Sequence, residues 1–263
     1  MDSSIQLFGV RIDCLTMLQA VERVYEWLRE PAGQRCSLCQ FVVTPNVDHA
    51  VILEENADLR RAYADASLIL VDGWPVQWAA RWLRGVIPPR VPGSDLTPAI
   101  LAAAKEKGPL KVFLLGAAAG VAQRAAKKIH ERYENVEVVG CYSPPLGFEK
   151  DAIENERILM LIRESAPDLL IVGLGAPKQE LWVHRHREAI AAKAALCVGA
   201  TIDFLAGEKK RAPKWIQAMG LEWAHRMCSE PKRLVKRYAR DAVVFPRLVL
   251  KEMWMSNPIK STR

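Results

Sequence analysis

The chain has 263 residues, which is enough for one large domain or for one domain with an appendage. Hydrophobic residues make up 50% of the chain and charged residues 25%, a globular composition that excludes a disordered or fibrous protein. Stretches without charge reach only about a dozen residues, whereas a membrane-spanning helix needs about 20. The first residues contain neither a basic leader nor an apolar signal core, so we expect a cytoplasmic protein.

The net charge of +7 is concentrated near the C-terminus. Residues 208–263 contain 14 basic and 5 acidic side chains, whereas residues 1–207 contain 23 basic and 25 acidic ones. This asymmetry predicts two parts, a core over residues 1–207 and a basic appendage over residues 208–263. A basic appendage favours a negatively charged partner.

Six apolar runs in the core predict β-strands. The runs are continuous rather than alternating, as expected for strands that are buried on both faces of a sheet. They cover residues 38–43, 67–71, 110–115, 136–140, 168–173 and 194–199. Amphipathic patterns between them predict helices over residues 15–29, 94–107, 119–133, 149–165 and 178–192. Repeated strand–helix units predict an α/β fold, with a Rossmann-like parallel sheet and helices on both of its faces.

The spacing of individual residues adds two details to these helices. The first helix has an apolar stripe that predicts burial of Leu15, Leu18, Val21, Val24, Tyr25 and Leu28. The helix over residues 94–107 opens with Ser94, which we expect to be its N-cap.

The appendage predicts two further helices, one after Pro213 and one that begins at Pro231. The second combines basic residues with aliphatic and aromatic ones, which is typical of an amphipathic helix at a membrane interface. A helix packed on its own domain, with a solvated basic face, would have the same composition. The composition is compatible with both a helix at the membrane interface and a helix packed on its own domain.

Four of the predicted strands run into polar residues at their carboxyl ends. The four clusters are Thr44-Pro45-Asn46, Asp72-Gly73, residues 173–180 with Gln179, and residues 199–203 with Asp203. One such cluster alone could be a turn or a helix cap. Ligands of open α/β sheets bind outside the carboxyl ends of the strands, so the four clusters together predict one shared crevice.

Asp72 is the main candidate for a catalytic carboxylate. It follows an apolar strand, and Gly73 would let the backbone turn sharply after it. A partly desolvated carboxylate at this place could act as a general base with a raised pKa. A turn without a catalytic role is the alternative, because Asp-Gly is also a turn signal. Asp203 is a rival candidate that could equally cap local backbone amides.

Patterns of metal chemistry are missing from the sequence. No Asp-x-Asp pair is present, so the usual way to hold a divalent ion on a nucleotide diphosphate is lacking. Cys36 and Cys39 have no second ligand pair at zinc spacing, and His184 and His186 point to different faces of a helix. We therefore expect reduced cysteines, no metal site and no cofactor.

Two other classes of protein are weighed against the sequence. A nucleotide-dependent oxidoreductase would need a Gly-x-Gly-x-x-Gly turn after the first strand, where TPNVDH stands, and the turn over residues 116–120 matches no nucleotide fingerprint. A nucleic-acid-binding protein could use the basic appendage. The aliphatic content of the appendage argues against that hypothesis, and we expect no nucleic-acid partner.

Six motifs together resemble one known family. They are TPNVDH (44–49), VDGWPV (71–76), RVPGSDL (90–96), GLGAPKQELW (173–182), GATIDFLAG (199–207) and RAPKWIQAMGLEWAHRMCSEPKRLVKR (211–237). Their combination and order, over nearly the whole chain, resemble the WecG/TagA/CpsF glycosyltransferases, which form glycosyltransferase family 26.

The resemblance implies an inverting, metal-independent transferase with a Rossmann-like core of the type termed GT-E. It implies a UDP-sugar donor and an acceptor sugar carried on a polyprenyl diphosphate, in teichoic acid or polysaccharide synthesis. We favour N-acetylmannosamine as donor sugar and N-acetylglucosamine as acceptor sugar; glucose and N-acetylmannosaminuronic acid are the alternative donors. It further implies that the appendage docks on the anionic inner face of the cytoplasmic membrane, and homo-oligomers are among the states it suggests.

The same resemblance assigns roles to individual residues. Asp72 corresponds to the proposed general base, and Arg90 to an arginine near the catalytic centre. The residues that would bind substrate are Thr44, Asn46, Gln179, Asp203, Arg226, Arg233 and Lys236. Lys236 takes a place where arginine is common, so a point charge replaces a bidentate phosphate contact there. Because the appendage would supply charge to the leaving diphosphate, we expect residues 208–263 to complete the active site.

Overall fold

The computed structural model describes residues 4–30 and 38–256. A small antiparallel hairpin precedes a six-stranded parallel sheet with the strand order β4-β3-β8-β7-β5-β6. The strands are β1 (Ser4–Leu7), β2 (Val10–Asp13), β3 (Gln40–Val43), β4 (Leu68–Ile69), β5 (Leu110–Gly116), β6 (Val136–Tyr142), β7 (Leu169–Gly173) and β8 (Ala194–Cys197).

Helices connect the strands and form the appendage. They are α1 (Met17–Arg29), α2 (Val47–Glu55), α3 (Ala57–Ala64), α4 (Trp74–Arg84), α5 (Gly93–Lys107), α6 (Val121–Arg132), α7 (Ala152–Ser165), α8 (Lys178–His186), α9 (Thr201–Ala206), α10 (Lys214–Ala218), α11 (Glu222–Ser229) and α12 (Pro231–Ser256). A short 3-10 helix over Phe148–Lys150 precedes α7.

The strands are apolar throughout because both faces of the sheet are covered. In β7, Leu169 and Ile171 pack with α1, α5, α6 and α9, while Leu170 and Val172 pack with α2, α3, α4, α7 and α8. All four of these side chains are fully buried. The predicted α/β fold, a parallel sheet with helices on both faces and a basic helical appendage, is confirmed.

Two details predicted for the helices are wrong. Leu18 is 78% exposed, because it lies at the edge of the buried face of α1, about a quarter turn from its centre on a helix of 3.6 residues per turn. Ser94 is not the N-cap of α5, which begins at Gly93 with Pro92 in the cap position. The cap lies two residues before the predicted one, because Pro92 already holds the extended backbone that an N-cap position needs.

The appendage contains one helix more than its sequence predicts. The helix predicted after Pro213 is two short helices, α10 and α11, because Gly220 takes a left-handed conformation (φ 72°) between them. The helix predicted to begin at Pro231 is confirmed as α12. It packs on α2 and α4 and buries Leu234 and Leu248. Among the described residues, no helix is both long and apolar enough to cross a bilayer.

Candidate active site

The four polar clusters predicted at strand ends follow four neighbouring strands. They come after β4, β3, β8 and β7, which stand side by side in that order. Since all four strands are parallel, their carboxyl ends meet at one edge of the sheet. The prediction that the clusters share this edge is confirmed.

Backbone contacts hold Asp72 at the rim of that edge. Its amide donates to the carbonyl of Pro45 at 3.0 Å. The preceding Val71 forms a parallel bridge with Arg90, and Val91 donates to the carbonyl of Val71 at 2.8 Å. Asp72 therefore lies between the end of β3 and the segment that carries Arg90.

Gly73 does not make the sharp turn that the sequence predicted. Its backbone is extended (φ −110°, ψ 139°), a conformation open to any residue, and it serves as the N-cap position of α4. A Cβ at this position would lie 3.5 Å from Cβ of Asn46, an ordinary contact distance. The chain thus passes directly from Asp72 into α4.

The surroundings of Asp72 favour its protonated form. Burial raises the pKa of Asp72 most, and the negative charge of Glu222 raises it further. The positive charges of Arg226 and Arg90, and that of His49, act in the opposite direction and lower it in part. A carboxylate with a raised pKa is suited to accept a proton near neutral pH.

Helix α11 of the appendage brings two charged residues to Asp72. Glu222 and Arg226 are four residues apart and so share one face of the helix. The carboxylate of Glu222 lies 3.8 Å from Nη1 of Arg90 and 3.5 Å from Nε of Arg211. Arg211 also binds both oxygens of Asp95 near the start of α5. The appendage and the core therefore meet in one network of charges beside Asp72.

A chain of polar groups, most of them buried, lies at the carboxyl ends of β3 and β7. Oδ1 of Asn46 accepts from the amides of Asp48 and His49 and caps α2. The His49 ring lies 3.0 Å from Asn46 Oδ1 through Nδ1 and 3.2 Å from Glu180 Oε1 through Nε2. Burial lowers the pKa of His49, but the hydrogen bond and charge of Glu180, together with the charge of Asp48, outweigh burial and raise it overall.

Gln179 continues this chain to the neighbouring strand end. Its Nε2 donates to Glu180 Oε1 at 2.8 Å, and its Oε1 accepts from the amide of Gly199 at 3.0 Å. The side chain is only 2% exposed. Both ends of the Gln179 side-chain amide are thus hydrogen-bonded, and they connect the start of α8 to the loop after β8. The substrate contact predicted for Gln179 stays a prediction.

Thr44 lies against the loop that begins α5. It is buried at the end of β3, and a Cβ at Gly93 would lie 3.1 Å from its hydroxyl and 2.7 Å from Val198. Only glycine at position 93 lets the loop approach so closely, which explains the glycine in the PGSDL motif.

Three predicted residues remain, one on α9 and two on α12. Asp203 in α9 is 3.5 Å from Nζ of Lys209, which also pairs with Glu230 at 3.1 Å. Lys236 is exposed on α12, and the side chain of Arg233 lies outside the described part of the structure.

Another group of charges joins α12 to α2, and the sequence did not point to it. Arg237 of α12 forms an ion pair with the buried carboxylate of Asp48. Asp241, one turn further on, is also buried, and burial together with the charge of Asp48 raises its pKa to about 6. The spacing of Asn46 and His49, which form a capping box, was the one sequence signal for this region.

Among the described residues, no group of three or more His, Cys, Asp and Glu side chains is placed to hold a metal ion. Of the cysteines described there, Cys39 and Cys197 are buried, Cys14 and Cys141 are half-buried, and Cys228 is exposed. Cys36 lies outside the described residues.

The fold and the site define an α/β protein with the carboxyl group of Asp72 and nearby arginines at the carboxyl edge of its sheet, an arrangement suited to an anionic substrate. The model of the Glycosyl transferase WecG/TagA/CpsF family matches residues 5–258, and the chain belongs to this glycosyltransferase family. The resemblance carried by the six motifs is thereby confirmed, and the oxidoreductase hypothesis is wrong.

Curated relatives agree with the family assignment. Proteins from Staphylococcus aureus strains MRSA252 and MW2 are each 30% identical to this chain over 236 residues. The match covers 88% of this chain and 87% of each relative. Both relatives are named N-acetylglucosaminyldiphosphoundecaprenol N-acetyl-beta-D-mannosaminyltransferase.

Proposed function

We propose that this enzyme transfers N-acetylmannosamine from a UDP donor to N-acetylglucosamine on undecaprenyl diphosphate, in the synthesis of teichoic acid or another cell-surface polysaccharide. The names of the two relatives support this pair of sugars. UDP-glucose and UDP-N-acetylmannosaminuronic acid are the alternative donors, and they would leave the mechanism unchanged.

The position of Asp72 is the observation that carries this proposal. Asp72 takes the proton from the acceptor hydroxyl, whose oxygen attacks the anomeric carbon while the bond to the UDP oxygen breaks. One direct displacement inverts the configuration at that carbon. The raised pKa of Asp72 supports this role, because a base is most effective when its pKa lies near the working pH.

Side chains of the core and the appendage then stabilise the departing diphosphate. Arg90 and Arg226 both act electrostatically on Asp72, which supports their placement beside the reacting groups. In this proposal, Arg233 and Lys236 are further basic residues of the appendage that bind the diphosphate. Preorganised cations of this kind stabilise the charge that develops on a leaving group, so the reaction needs no metal ion.

The sugar of the donor occupies the crevice above the strand ends. Thr44, Asn46 and Gln179 line it in this proposal, and Asp203 of α9 is a further substrate-binding residue. The buried hydrogen bonds of Asn46 and Gln179 support a rigid wall, since each amide is already fixed by its neighbours.

The appendage brings the enzyme to its lipid-linked acceptor. Residues 208–263 complete the active site and dock on the anionic inner face of the cytoplasmic membrane, where residues 1–207 would be held as a peripheral protein. The amphipathic, basic character of α12 supports this location.

The proposal is tested by incubating the purified enzyme with a panel of UDP-sugars and a synthetic prenyl-diphosphate N-acetylglucosamine, in the presence of EDTA. We expect mass spectrometry to detect one added N-acetylhexosamine from UDP-N-acetylmannosamine, and NMR to show inversion at its anomeric carbon. Loss of activity in EDTA, restored by a divalent ion, would contradict the metal-independent mechanism. Transfer from another donor would replace the sugar but keep the chemistry.

A further inference from the structure

Helix α4 presents a row of tryptophans to solvent. Trp74, Trp78 and Trp82 are spaced four residues apart, so they lie along one face of the helix. They are 37%, 60% and 79% exposed, and exposure increases away from Asp72. The loop after the helix extends the patch with exposed Val86 and Ile87. We refer to these five residues as the α4 patch.

Such exposure is unusual for this residue type. Tryptophan is highly buried on average, as Trp182 is in α8 of this protein (3% exposed). Continuous apolar surface of this kind on a soluble protein marks a place where another surface binds. The opposite face of the same helix packs normally, with Val76 and Ala80 buried in the core.

The segment that carries the α4 patch contains only basic charges, and two of its arginines, Arg84 and Arg90, pair with acidic residues of the appendage. The segment from Trp74 to Arg90 contains three arginines and no acidic residue. The guanidinium of Arg81 lies 5.6 Å from the centre of the Trp78 ring. Arg84 reaches across to Glu252 of α12 and the carbonyl of Gln6. Tryptophan with neighbouring arginine is the combination found where a protein meets lipid headgroups.

The α4 patch continues into the appendage. A Cβ at Gly220 would lie 3.2 Å from the ring of Trp74, so the junction of α10 and α11 rests directly on the start of α4. The exposed apolar residues of that junction are Trp215, Met219, Leu221 and Trp223. Six of the eight tryptophans of the chain are thus exposed, and all six lie on α4, α10, α11 or α12.

We propose that the α4 patch is a second membrane-docking element, which belongs to the core and binds the interface of a bilayer that contains anionic lipids. This inference extends the proposed function, because the lipid-linked acceptor must reach Asp72, and α4 begins two residues after it. With α4 and the appendage both in the interface, two contacts instead of one set the orientation of the enzyme, and the rim with Asp72 faces the headgroups. The position of the α4 patch favours a lipid surface over a protein partner, because the patch continues into the exposed apolar residues of the appendage and begins beside Asp72, which must meet a lipid-linked acceptor.

The test compares the full chain with the double variant Trp78→Ser/Trp82→Ser in flotation with vesicles of phosphatidylcholine and phosphatidylglycerol. Leu18→Ser is the matched control, because Leu18 is as exposed as Trp82 but lies on α1, on the other face of the sheet. We expect the double variant to bind at least about tenfold more weakly, since it lacks two indoles that would be buried in the bilayer interface. The control should bind as the unaltered enzyme does. Arg81→Glu should weaken binding to anionic vesicles and have a smaller effect on neutral ones.

Circular dichroism and melting temperature show whether the variants fold, and transfer to a water-soluble acceptor analogue should be unchanged in the double variant. Vesicle binding of the double variant equal to that of the unaltered enzyme would overturn the inference. If light scattering then also showed a loss of self-association, the α4 patch would be assigned to contact with a second copy of the chain. Failure of the transfer assay with vesicle binding still dependent on the tryptophans would refute the proposed function and leave this inference standing.

Discussion

Glu222 of the appendage and Arg90 of the core lie 3.8 Å apart, measured from the carboxylate Oε2 to the guanidinium Nη1. Both side chains act on the pKa of Asp72, and in opposite directions. The proton affinity of the proposed base therefore depends on a contact between two parts of the chain that are more than a hundred residues apart in sequence. This relationship leads to the first prediction.

Replacing Glu222 with Gln should shift the pH profile of transfer. The negative charge of Glu222 raises the pKa of Asp72, so its removal should lower that pKa and leave Asp72 ionised at lower pH. The acidic limb of kcat/KM against pH should move to lower pH. Glu208→Gln is the control, because Glu208 pairs with Arg124 at 2.6 Å and has no part in the charge network beside Asp72. An acidic limb that stays in place would show that another group controls it.

Replacing Asp72 with Asn should abolish most turnover while the donor still binds. Loss of a general base reduces rates by about 10²- to 10⁴-fold. Isothermal titration with UDP should give nearly the same Kd as the unaltered enzyme. Because the raised pKa means that the ionised carboxylate is unfavourable in the folded state, Asp72→Asn should also keep or raise the melting temperature at pH 7. A variant that melts earlier and loses UDP binding would instead give Asp72 a structural role.

Replacing Gln179 with Met should lower stability. The change leaves the Gly199 amide without its acceptor and removes one of two donors to Glu180 Oε1, which keeps only its contact with His49. A loss of about 1–3 kcal/mol in the free energy of unfolding is expected. Gln123→Met, at an exposed position of α6, should change it by less than about 0.5 kcal/mol. Urea titration measures both, and equal small losses would mean that the Gln179 amide is free to serve substrate alone.

Replacing Asp241 with Asn should change how stability depends on pH. The pKa of Asp241 is raised to about 6 by burial and by Asp48, with Arg237, Arg240 and His49 acting against this shift. A carboxyl with a raised folded-state pKa binds its proton more tightly when folded, so its stabilising contribution is complete below the ordinary pKa of 3.8 and is lost as pH rises from there through about 6. The Asn variant should melt later than the unaltered enzyme at pH 7.5 and close to it below the ordinary pKa of 3.8. Asp58→Asn, at an exposed position, should show neither effect, and equal curves for all three proteins would remove Asp241 as the cause.

Much of the fold followed from local patterns. The continuous apolar run around β7 predicted a strand buried on both faces, because every residue of such a strand meets a helix layer. The helices α2, α3 and α4 were not predicted. In α2, Asp48 and His49 are buried against partners from α8 and α12, so its polar residues do not mark a solvent face and its periodicity is weak.

The candidate site also has residues whose position the sequence predicted and residues whose position it did not. The polar clusters at the ends of β3, β4, β7 and β8 could be predicted to meet, because parallel strands end at one edge. Glu222, Glu180 and Arg237 could not be assigned roles, since nothing in their local sequence indicates what they face. The break at Gly220 was missed for a related reason, because a glycine within a helical pattern ends a helix only where the surroundings favour the left-handed conformation.

By itself the sequence determined the parallel α/β sheet, the family, the basic appendage and the identity of Asp72 as the main candidate base. These properties depend on residue type and on spacing along the chain. Continuous apolar runs become buried strands, and the order of the motifs identifies the family. Only the tertiary structure decided the proton affinity of Asp72, the buried hydrogen bonds of Gln179 and the exposure of the tryptophans on α4. Those properties depend on desolvation and on distances between residues far apart in sequence, and folding alone sets both.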